Sequence, residues 1–141
     1  TALFANSIGA WFSMLSFAGK PLEKALFVSP VLDMECLLRR MMQWASVSEE
    51  DLEKAGIIQT SFGETLSWEY YCYARNHPIC RWEIPTDVLY AGQDHLTERS
   101  AADSFAERYH CRLTVMENGE HWFHTPEQLA VLREWMQNSL I

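Results

Sequence analysis

Ser7, Asp94 and His121 are residues of the types that together form a nucleophilic catalytic site, and each follows a predicted strand. A serine hydroxyl attacks a carbonyl when a histidine accepts its proton, and a carboxylate fixes the tautomer of that histidine and stabilises its cation. Ser7 lies between the small residues Ala5 and Gly9, at a predicted tight turn from a strand into a helix. Such a turn holds a serine hydroxyl above the edge of a sheet. These residue types therefore predict that Ser7 is an attacking group.

The predicted elements place these three residues at one edge of a parallel sheet. Strands are predicted at residues 3–5, 24–30, 87–91 and 112–116, and helices at 10–18, 97–109 and from 125 onward. The strand at 24–30 is apolar on both faces, which is typical of a parallel sheet covered by helices. The alternation predicts an α/β fold with about four mostly parallel strands. The three residues then emerge at the carboxyl edge, where such sheets place their sites.

Residues 31–84 separate the second predicted strand from the third and have helical periodicity. Ser48 is predicted to cap a helix that stops at Gly56, and a further helix is predicted over residues 65–76. The aromatic residues of this segment either line a substrate pocket or form a core: Trp68, Tyr70, Tyr71 and Tyr73. We therefore expect a single domain over residues 1–141 with a helical insert at 31–84.

The chain resembles the second half of the α/β-hydrolase fold family. Residues 5–9 (Ala-Asn-Ser-Ile-Gly) resemble the nucleophile elbow, and residues 89–94 (Leu-Tyr-Ala-Gly-Gln-Asp) resemble the strand and loop that carry the acid. Residues 119–123 (Gly-Glu-His-Trp-Phe) resemble the histidine loop. The order Ser, Asp, His along the chain is also that of the family. The insert resembles the variable helical cap of this family in its position only.

The resemblance implies a serine hydrolase that acts on a carboxylic ester, thioester or amide through an acyl-enzyme. Ser7, Asp94 and His121 would form its catalytic triad, and the backbone N–H of Ile8 would be one donor to the oxyanion. A small-molecule acyl substrate is the partner that this activity implies. The competing hypothesis is a non-catalytic binding or interaction domain with a degenerate, incomplete hydrolase site.

The resemblance covers only a partial α/β-hydrolase domain. In the family the second oxyanion donor comes from a loop after an earlier strand, and no residues of this sequence precede the elbow strand to supply it. The first strand would then present an apolar free edge, which is a site for pairing with another strand. We expect that edge to pair either with a missing N-terminal segment, needed for full activity, or with a second copy in a homodimer.

Other residues compete for the same roles. Asp33 follows the second predicted strand and is a rival acid, while Asp94 could merely cap the helix that is predicted to begin at Thr97. His124 lies three residues after His121 and is more simply a surface residue before the last helix. We favour Asp94 and His121 because their local sequences match the family better.

The composition excludes several classes of function. The formal net charge is −8, from 19 acidic and 11 basic residues, which argues against a surface for nucleic acid or anionic membranes. No apolar run reaches the roughly 20 residues that a membrane-spanning helix needs. The sequence contains no metal-ligand spacing, and no metal or other cofactor is expected. The cysteines form no CxxC pair, which favours reduced thiols and a cytoplasmic setting: Cys36, Cys72, Cys80 and Cys111.

Overall fold

The chain contains six strands and six helices, and the computed structural model describes every residue from Thr1 to Ile141. In chain order they are β1 (Ala2–Asn6), α1 (Ile8–Phe17), β2 (Lys24–Val28), α2 (Met34–Trp44), α3 (Glu49–Ala55), β3 (Ile57–Gln59), β4 (Thr65–Ser67), α4 (Trp68–Asn76), β5 (Thr86–Ala91), α5 (Arg99–Tyr109), β6 (Arg112–Met116) and α6 (Pro126–Ser139). They form two units, one of Thr1–Leu32 with Ile79–Ile141 and one of Asp33–Pro78.

The first unit is built on a four-stranded parallel sheet in the order β1-β2-β5-β6. All six residues of β5 are buried, as are the last four of β2, because helices cover both faces of the sheet. The predicted α/β fold with four mostly parallel strands is therefore confirmed. Since the strands run in one direction, the loops after β1, β5 and β6 leave the sheet at the same edge.

Side chains from each strand alternate between two apolar clusters, one on each face of the sheet. Phe27 and Val88 point to the face that α1 and α5 cover, where they join Met14 and Phe105. The other face is covered by α6, and its cluster consists of Leu26, Val28, Leu89, Ala91, Phe123 and Trp135. Packing on both faces fixes the register of the central strands, because a shift of one residue would exchange the two sets.

A buried carboxylate, that of Asp87 on β5, binds charged groups from both neighbouring strands at the amino edge of the sheet. Lys24 Nζ at the start of β2 lies 3.1 Å from Asp87 Oδ2, and the Arg112 guanidinium at the start of β6 donates to the same oxygen. Burial favours the neutral acid, but hydrogen bonds from Ser139, Arg112 and Lys24 outweigh it, so the pKa of Asp87 lies below its usual range. This network joins three strands and α6.

The second unit contains α2, α3 and α4 and a small antiparallel sheet of β3 and β4. The insert is largely helical as expected, but it also contains this small sheet, which the sequence did not predict and in which Ile57 pairs with Ser67 and Gln59 pairs with Thr65. The helix predicted from residue 65 begins instead at Trp68, after Ser67, whose hydroxyl accepts the backbone N–H of Tyr70. Cross-strand pairing thus takes the residues that would have formed the first turn.

The aromatic residues of the second unit include a fully buried tyrosine, Tyr71. Its hydroxyl donates to Glu49 Oε1 at 2.5 Å and accepts from Arg39 Nε at 3.0 Å, which ties α4 to α3 and to α2. The predicted cap at Ser48 is present, since its hydroxyl and the carboxylate of Asp51 form a reciprocal capping box. Tyr71 is therefore a core residue of this unit.

The remaining global features concern helix length and the thiols. None of the helices has both the length and the apolar character required to cross a lipid bilayer. All four cysteines are free thiols, and Cys36 and Cys80 are exposed. Burial raises the pKa of the Cys111 thiol to about 11, so this thiol is a weak nucleophile at neutral pH.

Candidate active site

The backbone at Ser7 has a conformation that is uncommon for a residue with a side chain. Ser7 joins β1 to α1 with φ of 53° and ψ of −123°, which costs on the order of 1–3 kcal/mol and persists only where neighbours hold it. The neighbours here are backbone groups: Ser7 N donates to Val28 O at 3.0 Å, and Ser7 O accepts from Val31 N at 2.9 Å. The segment after β2 therefore fixes the turn that carries the Ser7 hydroxyl.

The three residues predicted as a triad are joined by two hydrogen bonds. Ser7 Oγ lies 2.8 Å from His121 Nε2, and His121 Nδ1 lies 2.7 Å from Asp94 Oδ2. The Asp94 side chain is fully buried, whereas 18% of the His121 side chain remains exposed. The loops after β1, β5 and β6 thus bring together a hydroxyl, an imidazole and a carboxylate from positions far apart in the sequence.

The Asp94 carboxylate accepts hydrogen bonds at both oxygens. Oδ1 accepts the backbone N–H groups of Leu96 at 2.8 Å and Thr97 at 3.2 Å, and Oδ2 accepts the Thr97 hydroxyl at 3.1 Å in addition to His121. Burial alone would raise the pKa of Asp94, but His121 and the two backbone N–H groups favour the charged form more strongly. The pKa of Asp94 therefore lies below its usual range, and Asp94 is ionised at neutral pH.

Thr97 differs from its predicted role. The helix expected to begin at Thr97 begins at Arg99, and Glu98 at its N-cap makes no side-chain capping bond. The Thr97 hydroxyl turns back to Asp94 instead. No pattern in the sequence distinguishes these two uses of a threonine before a helix, because both place it in a loop.

The loops that carry Asp94 and His121 are bound to each other by backbone hydrogen bonds. Gly92 N donates to Met116 O and Gln93 N to Gly119 O, both at 2.8 Å, and the Gln93 side chain donates to Glu117 O at 3.1 Å. A Cβ atom on Gly92 would lie 2.3 Å from Glu117 O, so only glycine permits this approach. The Gly92-Gln93-Asp94 sequence therefore sets the spacing between the acid and the histidine.

The backbone N–H of Ile8 follows Ser7 directly in the chain. Ile8 is the first residue of α1, so its N–H has no carbonyl partner within the helix. The amino end of a helix also carries partial positive charge, which favours an anion at this position. The predicted oxyanion donor is therefore oriented by the same turn as the nucleophile.

The rival residues have other partners. The Asp33 carboxylate caps α2 and accepts the backbone N–H of Cys36 at 3.0 Å. His124 Nδ1 lies 2.7 Å from Trp122 O and 3.2 Å from Glu120 Oε2. Of the competing side chains, it is Asp94 and His121 that join Ser7 in one hydrogen-bonded chain. The structure contains no group of three or more His, Cys, Asp or Glu side chains arranged to hold a metal ion.

Two surfaces border this site. A cleft of about 550 Å³ next to His121 is lined by polar side chains and an exposed indole, including Gln93, Asn118, Glu120 and Trp122. On the other side, β1 is an edge strand of the sheet. Phe4 on β1 is 49% exposed, and Ile8 and Phe12 on the following helix α1 are each 45% exposed.

No protein-family model matches the chain, and no curated protein sequence matches it. Several solved structures do match the chain. Est1E from Butyrivibrio proteoclasticus is 17% identical with a TM-score of 0.73, and alpha/beta hydrolase domain-containing protein 10 from mouse is 13% identical with a TM-score of 0.75. Each match covers 97% of this chain and 60% of the other. An esterase from Pyrococcus furiosus is 16% identical with a TM-score of 0.56, over 97% of this chain and 50% of its own.

The chain thus spans 50–60% of the length of these three structures. They are esterases and hydrolases of one fold, and the parallel sheet described above superposes on part of theirs. The expected resemblance is confirmed at the level of the fold. This chain has the α/β-hydrolase fold, over the part that runs from the strand before Ser7 to the last helix.

Proposed function

We propose that this chain carries the nucleophile, base and acid of a serine hydrolase that cleaves a carboxylic ester, thioester or amide through an acyl-enzyme. The observation that carries the proposal is the continuous hydrogen-bonded chain from Ser7 Oγ through His121 to Asp94. The strained turn at Ser7 supports it, because such strain at a polar residue is common where a side chain must be held for chemistry. An ester is the substrate class that the neighbouring esterases favour.

The geometry suits a two-stage reaction. His121 Nε2 accepts the Ser7 proton while Oγ bonds to the carbonyl carbon, whose oxygen takes the displaced electron pair as an oxyanion. The imidazolium then passes that proton to the leaving oxygen, sulfur or nitrogen as its bond to carbon breaks. Water repeats these steps on the acyl-enzyme, which releases the carboxylic acid and restores Ser7. Asp94 remains ionised and stabilises the imidazolium throughout.

The oxyanion requires a second donor besides Ile8 N–H. Each preorganised donor contributes about 3 kcal/mol to transition-state stabilisation, so one donor alone leaves the reaction slow. In this proposal the second donor comes from residues beyond this chain. The same residues would pair with the free edge of β1. They would also cover the exposed apolar side chains of Phe4, Ile8 and Phe12. A second copy of the chain is the alternative cover for this edge.

The cysteines and the net charge bear on the compartment and the partners of the protein. The free thiols favour a reducing, cytoplasmic setting, and the acidic net charge disfavours nucleic acid as a partner. The exposed edge also favours a second function, a non-catalytic interaction domain that uses β1 and its neighbouring aromatic residues for pairing. Reactivity at Ser7 distinguishes these two functions.

A fluorophosphonate probe provides the test, applied to the complete product of the gene. We expect stoichiometric labelling of Ser7, which Ser7→Ala abolishes and His121→Ala strongly slows because the hydroxyl then has no base. A matched control is His124→Ala, which removes a nearby imidazole that has other partners. Absence of labelling in the folded complete protein would contradict the hydrolase and leave the interaction domain.

A further inference from the structure

The oxygen of Asp94 that binds His121 also binds a second donor. Asp94 Oδ2 accepts His121 Nδ1–H at 2.7 Å and the Thr97 hydroxyl at 3.1 Å, whereas Oδ1 accepts the backbone N–H groups of Leu96 and Thr97. The hydroxyl of Thr97 is thus a side-chain donor to this carboxylate in addition to His121. It contacts the atom through which the carboxylate orients the imidazole.

Thr97 is itself held by the buried part of the sheet. Tyr90 on β5 is almost fully buried, and its hydroxyl donates to the Thr97 carbonyl at 2.9 Å. The Thr97 backbone N–H also binds Asp94 Oδ1. Since its carbonyl, N–H and hydroxyl all have partners, the position of the Thr97 side chain is determined by the core and not by solvent.

From these contacts we infer that Thr97 is a positioning residue of the site, which acts on His121 through Asp94. Its hydroxyl fixes the rotation of the carboxylate, so that Oδ2 stays in line with His121 Nδ1 and Nε2 stays directed at Ser7. It also occupies a lone pair of Oδ2, which favours retention of the shared proton on the imidazole. The inference rests on the proposed function of the triad, but the link from Thr97 to His121 is measurable without catalysis.

The experiment compares Thr97→Val with Thr97→Ser in the complete protein. Valine keeps the shape of threonine without the donor, and serine keeps the donor. We expect Thr97→Val to slow fluorophosphonate labelling of Ser7 about tenfold, the effect of one hydrogen bond to a charged group, and Thr97→Ser to label at nearly the wild-type rate. The proton NMR signal of His121 Nδ1–H should shift or broaden in the valine variant only.

Thr114→Val on β6 is the matched control, since Thr114 lies outside the hydrogen bonds of the triad. It should change neither measurement. Equal labelling by wild type and Thr97→Val with an unchanged Nδ1–H signal would overturn the inference, and so would a serine variant as slow as the valine variant. If Thr97→Val does not fold, Thr97→Ala replaces it in the same comparison. If the wild type is not labelled, the proposed function fails, and the NMR signal still decides whether Thr97 positions His121.

Discussion

Replacement of Gly92 by alanine should separate the acid loop from the histidine loop. The added Cβ would lie 2.3 Å from Glu117 O and 2.7 Å from Glu117 Cα, whereas ordinary contacts begin at 3.4 Å. The two backbones must therefore move apart by about 1 Å, which is the difference between 3.4 and 2.3. Gly92 does not have a positive φ, so the effect is steric alone.

Two measurements should report this displacement. The hydrogen bond from Gly92 N to Met116 O would stretch, and Asp94, two residues later, would move relative to His121. Forced overpacking of this kind costs about 1–3 kcal/mol of unfolding free energy. A misplacement of about 1 Å in a catalytic group costs roughly a hundredfold in rate. Denaturant unfolding gives the first quantity, and the rate of fluorophosphonate labelling gives the second.

Gly63→Ala is the matched control for Gly92→Ala. Nothing lies within 4 Å of an added Cβ there, and the φ of 85° makes alanine strained for a different reason. This control should lose about 1 kcal/mol of stability with no change in labelling. If Gly92→Ala behaves like this control, or like the wild type, the loops do not set the distance between acid and base and the reasoning fails.

Two further predictions concern charge and strain. Asp87→Asn should lower the unfolding free energy by about 2 kcal/mol, because Lys24 and Arg112 lose their shared carboxylate. The pKa of Asp87 is lower in the folded state than its unfolded value of about 3.9. The stability that the carboxylate contributes is therefore fully present above that unfolded value and is lost as the pH falls toward the folded value. The asparagine variant should accordingly show a shallower loss of stability below about pH 4 in acid titrations. Ser29→Gly should stabilise the protein by about 1 kcal/mol in thermal unfolding. Ser29 has a φ of 46°, which glycine adopts without strain, and its fully buried hydroxyl has no hydrogen-bond partner. An unchanged or lower melting temperature would refute this prediction.

The central sheet was accessible from the sequence because its strands carry a clear signal. β2 and β5 are short, mostly apolar runs bounded by loop residues. Ser7, Asp94 and His121 could be placed at one edge because the carboxyl ends of parallel strands coincide. The hydrogen bonds among these three side chains could not be predicted from the sequence pattern, because they depend on the conformations of three separate loops.

Other features depend on tertiary contacts and left no signal. β3 and β4 are three residues each, too short for periodicity, and they exist because they pair with one another. Thr97 looks like a helix cap, and its bond to Asp94 depends on how the loop after β5 folds back. In the sequence Gly92 indicates only a loop after a strand. Its steric role becomes visible only in the structure, where the loop after β6 lies against it.

The Asp87 network and the Ser7 site lie at opposite ends of the same strands. Charge pairing that holds β2, β5 and β6 together is thus located at the amino edge, away from the groups proposed to react. Loops at the carboxyl edge can accumulate substitutions without removing the interactions that keep the strands aligned.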